Sequence, residues 1–164
     1  MNIIISGGSG LLGTALTKSL LADGHKVFIL SRGASNNKTD AQHIQWDGRT
    51  TTGWGQLVNE MDAVIHLAGR STSDWPWTTT RKKSFEDSRI LPGLALAQAI
   101  REATHRPSLF VQVSGINHYG LQGDLADEST PPGDDFLAQL TVKWEDATKS
   151  VEELGVRRII LRTS

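Results

Sequence analysis

The run Ile3-Ile4-Ile5-Ser6-Gly7-Gly8-Ser9-Gly10-Leu11-Leu12-Gly13 constrains this chain more than any other segment. It reads as a short buried strand, a glycine-rich turn and the start of a helix. Gly7, Gly10 and Gly13 have the spacing GxxGxxG. Gly7 permits a tight turn out of the strand. Gly10 removes the Cβ that would block a pyrophosphate, and Gly13 lets the helix pack close to the strand. Ser9, Leu11 and Leu12 complete the loop. Its backbone N–H groups, at a helix N-terminus, point at an anion that the macrodipole also favours. Strand and helix stand on the correct sides of the glycines, so the segment predicts dinucleotide binding rather than a plain structural turn.

The rest of the chain alternates strand and helix. Strands are expected at 2–6, 26–30, 43–46, 63–67, 109–114 and 157–161. Helices are expected at 11–23, closed by Asp23-Gly24, at 79–103, with a weak point at Pro92-Gly93, and at 134–153, with a helical turn at 54–60. Polar loops span 33–40 and 119–133. Strands separated by helical segments imply βαβ units. The predicted fold is α/β, a Rossmann-like doubly wound parallel sheet, with 1–164 as one dinucleotide-binding domain. A chain of 164 residues buries about 70% of its unfolded surface, enough for a real core. Arg162-Thr163-Ser164 comes immediately past a strand, where such sheets bind ligands. The expectation is therefore a domain truncated before its substrate-binding part, with an open strand edge that favours a homodimer.

Composition narrows the function. The net charge is −1, which argues against nucleic acid or an anionic membrane surface as partner. With no cysteine there is no disulfide and no thiolate chemistry. There is no apolar run long enough for a membrane span, and the N-terminal strand lacks the basic region of a signal peptide; a cytoplasmic location is expected. The five histidines, at 25, 43, 66, 105 and 118, show no metal-binding spacing, so no metal site is expected. His66 reads as a core residue and His118 as a candidate acid/base. Trp75 and Trp77 flank Pro76 as a lid or a hydrophobic anchor. Asp124, Asp127, Glu128, Asp134 and Asp135 read as a solvated acidic face.

The end of the second strand speaks to cofactor choice. It reads Leu30-Ser31-Arg32, without the carboxylate that would bond a ribose 2′-OH. Arg32 can clamp a 2′-phosphate and Ser31 can donate to it, so NADP is expected over NAD. Asp47 is either a partner of the adenine amino group or a turn residue. Leu67-Ala68-Gly69 ends the fourth strand with small residues that allow close backbone approach.

Several segments carry a family resemblance: GGSGLLG at 7–13, LSRG at 30–33, DAVIHLAG at 62–69, DWPW at 74–77, DSRI at 87–90, SGINHYG at 114–120 and DDFLAQLTVKWE at 134–145. The chain resembles the atypical extended short-chain dehydrogenase/reductase proteins of the NAD-dependent epimerase/dehydratase superfamily, and within them the epimerase-family proteins of unproven reaction. The resemblance implies that Leu67, Ala68, Gly69 and Arg89 line the cofactor. It also implies that the family continues well over a hundred residues further. Classical members use a Ser or Thr with a YxxxK pair, whose lysine binds the nicotinamide ribose and activates the tyrosine. This chain has no YxxxK. Lys143 follows Gln139 by four, the shifted register gives Leu137 and Thr141, and the single tyrosine is Tyr119. Ser114, with Gly115 as an equal alternative, stands near the serine position.

The expected catalytic set is therefore Ser114, Tyr119 and Lys143, with a purely structural Tyr119 as the alternative. The function expected is an NADP(H)-binding oxidoreductase or epimerase-like protein acting on a small, sugar-nucleotide-type substrate. The alternatives are a non-catalytic NADP(H)-binding regulator and an interaction protein that keeps only the fold.

Overall fold

The computed structural model describes residues 1–33, 39–73, 75–120 and 125–164. The centre of the predicted 33–40 loop, Asp74, and the 121–124 part of the 119–133 loop, with Asp124, lie outside the described residues. Strand β1 is Asn2–Ser6, β2 Lys26–Ser31, β3 Gln42–Gln45, β4 Ala63–His66, β5 Leu109–Gly115 and β6 Arg157–Thr163. Helix α1 is Leu11–Ala22, α2 Thr79–Glu102 and α3 Phe136–Asp146. Short 3₁₀ turns cover Gly55–Glu60, Ile116–Tyr119 and Lys149–Leu154.

All strand pairs are parallel, in the order β3-β2-β1-β4-β5-β6. The order reverses at β1, where β1 pairs with β2 on one side and β4 on the other. In open α/β sheets the ligand crevice lies outside the carboxyl ends of the strands at such a switch point. Helix α1 covers one face, over Ile3, Ile5, Val27, Ile29 and Ala63. The larger core lies on the other face, where Ile4, Leu30, Val64 and Phe110 meet Leu96 and Ile100 of α2. Continuous apolar runs such as Ile3-Ile4-Ile5 suit strands covered on both faces.

Beyond end shifts of one or two residues, two features differ from the sequence expectation. Helix α2 runs through Pro92 without a break. A mid-helix proline costs about 3 kcal/mol, and burial of Phe85, Leu96 and Ile100 on the same helix offsets it. Gly93 serves close packing there. A Cβ on it would sit 3.1 Å from Thr148 Cγ2 and 3.6 Å from His66 Nε2. The predicted helix 134–153 is two pieces, α3 and the Lys149–Leu154 turn. Arg158 of β6 donates to the Glu145 carbonyl at 2.7 Å, taking an acceptor that a continuing helix would use. The buried Thr148 hydroxyl bonds Gln112 of β5 at the same break.

Candidate functional site

The glycine turn separates into structural and open positions. Gly7 has φ +77°, and a Cβ there would lie 2.7 Å from the Leu67 carbonyl carbon and 2.8 Å from the Ala68 nitrogen. A Cβ at Gly13 would lie 2.3 Å from the Gly7 oxygen. Both glycines let the turn press against its surroundings. Gly10 differs, because its Cβ would meet only the Gly7 oxygen, at 3.3 Å. Gly10 is the N-cap residue of α1. The helix has no side-chain cap and no acidic residue in its first turn. Its leading amides therefore face outward unsatisfied, a standing anion site.

Those amides open onto a cleft of about 860 Å³ along the carboxyl ends of β1, β2 and β4. Gly7, Ser9, Gly10, Ser31, Arg32, Leu67, Ala68 and Gly69 of the expected set all line it. Leu11 and Leu12 are exposed and their side chains stand outside the lining, so their contribution is backbone. Arg89 also stands outside the lining, packed under Gly69 with its guanidinium carbon 3.4 Å from where a Cβ would be. It donates to the Phe85 carbonyl and Ser88 Oγ, and stacks 5.0 Å over Trp144. Burial lowers its pKa from the ordinary arginine value.

At the β2 end, the Ser31 hydroxyl donates to the Gly33 carbonyl at 2.9 Å. Arg32 is exposed, its stem against Gly48, and Arg49 lines the same end. Asp47 holds a turn: Oδ1 accepts the Arg49 and Thr50 amides, and Oδ2 the Thr50 hydroxyl, each at 2.8 Å. Those bonds, led by the Thr50 amide, keep its carboxyl below the usual range.

The second group of expected residues lies at the ends of β5 and β6. The β5–β6 register sets Ser114 beside Arg162. The Ser114 hydroxyl donates to Glu145 Oε1 at 2.7 Å. Arg162 grips the same carboxylate with Nε at 3.0 Å and Nη2 at 2.9 Å, and its Nη1 donates to the Tyr119 phenol oxygen at 2.9 Å. Burial alone would raise the Glu145 pKa. The Arg162 and Ser114 hydrogen bonds outweigh that and hold it below the ordinary glutamate value. His118 Nδ1 is buried without a hydrogen-bond partner, 3.9 Å from Glu145 Oε1. Burial, then the Arg162 charge, lower the His118 pKa.

Ser114 and Tyr119 are thus brought together, but Lys143 is not with them. Its ammonium pairs with Glu86 of α2 at 2.7 Å and is largely exposed. The reason is helical period: the α3 face toward β5 carries Ala138, Thr141 and Glu145, all buried, and Lys143 points away from it. Sequence reasoning missed Glu145 and Arg162. A glutamate spaced i, i+3, i+7 with Ala138 and Thr141 was the available signal.

His66 joins the two regions. It is fully buried, and burial lowers its pKa to about 4. The Trp144 indole N–H can only donate, and it lies 3.2 Å from His66 Nε2. The Arg89 carbonyl lies 3.3 Å from the same nitrogen, and Nδ1 shares a hydrogen bond with Ser6 Oγ at 2.8 Å. Trp77 is an anchor between Phe85 and Phe136, while Trp75 is exposed. Among the described residues there is no cluster able to hold a metal ion and no helix long and apolar enough to cross a membrane.

The model of the NAD dependent epimerase/dehydratase family matches residues 3–162. An epimerase family protein of Mycobacterium bovis is 33% identical over 162 residues, covering 98% of this chain and 52% of that protein. The human epimerase family protein SDR39U1 is 34% identical, covering 99% of this chain and 54% of its own length. A crystal structure of human SDR39U1 (isoform 2) with NADPH superposes with a TM-score of 0.82 at 32% identity, covering 99% of this chain and 53% of that one. A nucleoside-diphosphate sugar epimerase from Corynebacterium glutamicum gives a TM-score of 0.82 at 29% identity, covering 99% and 33%. The chain spans about half the length of the curated relatives it matches. It belongs to the NAD dependent epimerase/dehydratase family.

Proposed function

From membership of that family we propose that this chain is the NADP(H)-binding part of an oxidoreductase or epimerase-like protein acting on a small, sugar-nucleotide-type substrate. The observation that carries the reading is the uncapped amino end of α1, opening onto a cleft at the switch point of the sheet. The cradle fits a dinucleotide. Within the glycine turn, a Cβ at Gly10 would meet only the Gly7 oxygen, at 3.3 Å, and Gly10 lines the cleft beside the leading amides of α1. The amides of Ser9, Leu11 and Leu12 would hold the diphosphate, the Gly10 amide being used on the Gly7 carbonyl, and Leu67, Ala68 and Gly69 would flank it. Arg89 supports Gly69 from below. Arg32, with Arg49 nearby, would hold a 2′-phosphate, and no carboxylate stands at Leu30-Ser31-Arg32 to favour a bare ribose. The NADPH in the human relative's structure supports the same choice. A bound nicotinamide supplies a hydride acceptor or donor. Ser114 and Tyr119 would orient the substrate and move its proton. Lys143, tied to Glu86, would serve only by leaving that pair. That pairing favours a second reading, a protein that binds NADP(H) without turnover.

Arg32→Glu should weaken NADPH binding by about 1.5–3 kcal/mol, the scale of charge-assisted hydrogen bonds, and leave NADH little changed. Fluorescence titration of both cofactors reads this directly. An unmodified protein that prefers NADH would overturn the NADP assignment.

A further inference from the structure

We infer that Arg162 supplies, from β6, the cation that the missing YxxxK lysine would have supplied, and that Tyr119 so positioned is the proton-transfer group. The inference deepens the proposed function and rests on it. Arg162 makes three directed contacts with one planar group: two to Glu145 and one to the Tyr119 oxygen. Its guanidinium carbon also lies 5.2 Å from the Tyr119 ring centre. Glu145 fixes the fork and accepts the Ser114 hydroxyl hydrogen bond as well, so two hydroxyl groups, Ser114 and Tyr119, are held by one ion pair.

The hydrogen inventory then sets the chemistry. The phenol oxygen accepts from Arg162, so its own O–H is not used on that contact and is available to a substrate oxygen. On transfer the Tyr119 O–H bond breaks and the substrate oxygen gains the proton. The electron pair stays on an oxygen that already faces a permanent cation. No residue of α3 competes for this role. Of its three positions toward β5, Ala138 is apolar, the Thr141 hydroxyl returns to the Ala138 carbonyl, and Glu145 is the carboxylate itself. The pair has a reason beyond stability, since a buried ion pair is often replaceable by apolar groups at no loss. The other titratable groups near Tyr119 are His118 in the same turn and Asp135, which caps α3 beside Gly120.

The test is turnover of nucleoside-diphosphate sugars with NADP(H). Tyr119→Phe should lower kcat by about 10²–10⁴-fold, the usual worth of general acid–base help. Replacing both charges, Arg162→Met with Glu145→Met, leaves neither buried alone, so the fold should hold; kcat should fall with KM little changed. Arg162→Lys, which keeps a cation, should retain more of the activity than Arg162→Met, and that comparison serves if the double variant fails to fold. Unmodified kcat in a folded Tyr119→Phe or Arg162→Met variant, or no turnover by an unmodified protein that binds NADPH, overturns the inference. Loss of NADPH binding in the unmodified protein would sink the proposed function instead.

Discussion

At the β1–β2 end of the sheet rim, the cleft is lined by glycines, backbone amides and exposed side chains. At the β5–β6 end, Ser114, Glu145, Arg162 and Tyr119 already satisfy one another. The first region is defined by what has been removed: a Cβ at Gly10, a cap on α1, a carboxylate after β2. The second is defined by what has been added, a carboxylate and a guanidinium brought together from α3 and β6. The difference teaches where mutations should act. The first region should fail in ligand affinity with the fold intact. The second should fail in stability with affinity for the dinucleotide intact.

The largest test of that division is Glu145→Leu. It leaves Arg162 without its partner, for which removal of one member of a buried pair costs about 3–5 kcal/mol. The lower figure is expected, because the Arg162 side chain keeps 20% of its surface exposed. Urea unfolding gives the stability, and NADPH titration of the surviving folded protein should be unchanged. If affinity falls as well, the two regions are not separable.

Next in size is the acid response of His66, which bridges them. Its folded pKa is about 4, against 6.5 for an ordinary histidine. Between those values the unfolded chain binds more protons, so stability falls as pH drops from 6.5 to 4 and this contribution levels off below. The total is about 3 kcal/mol. His66→Gln should flatten the profile across that window relative to the unmodified protein. Identical slopes in both would remove the buried neutral histidine from the account.

The smallest comparison is within the glycine turn itself. Gly13→Ala should cost about 1–3 kcal/mol through overpacking against Gly7. Gly10→Ala should leave the thermal midpoint nearly unmoved and weaken NADPH about tenfold. Equal effects of the two alanines on stability would mean that Gly10, too, is there for the fold.

The two regions also differ in how far sequence reveals them. The cradle is local. Ile3 to Gly13 carry strand, turn and helix in one run, and the order of the sheet follows from repeated strand–helix alternation. Arg32 is legible by contrast with the acidic residue that a bare ribose would call for. The carboxylate cluster joins positions 114, 119, 145 and 162, which only the β5–β6 register and the rotation of α3 bring together. Lys143 and Glu145 stand two residues apart, nearly opposite on a helix, so choosing the wrong one reversed the face. The break after α3 was hidden for the same reason, since the group that takes the Glu145 carbonyl is Arg158, thirteen residues on.

Placing β1 between β2 and β4 has a consequence for the order of folding. The wall that closes on Gly7 is the backbone of Leu67 and Ala68, and Ser6 meets His66 across a sequence separation of 60. A growing chain that has emitted only its first βαβ half has Ile29 of β2 against Gly8 but lacks the Leu67–Ala68 wall that closes on Gly7. Its central strand waits with one edge unpaired until β4 arrives. Long-range parallel pairing of this kind is intrinsically slow. The segment that best identifies the fold from sequence is thus among the later ones to reach its native shape, and an early nascent chain should lack the β4 wall of the anion site.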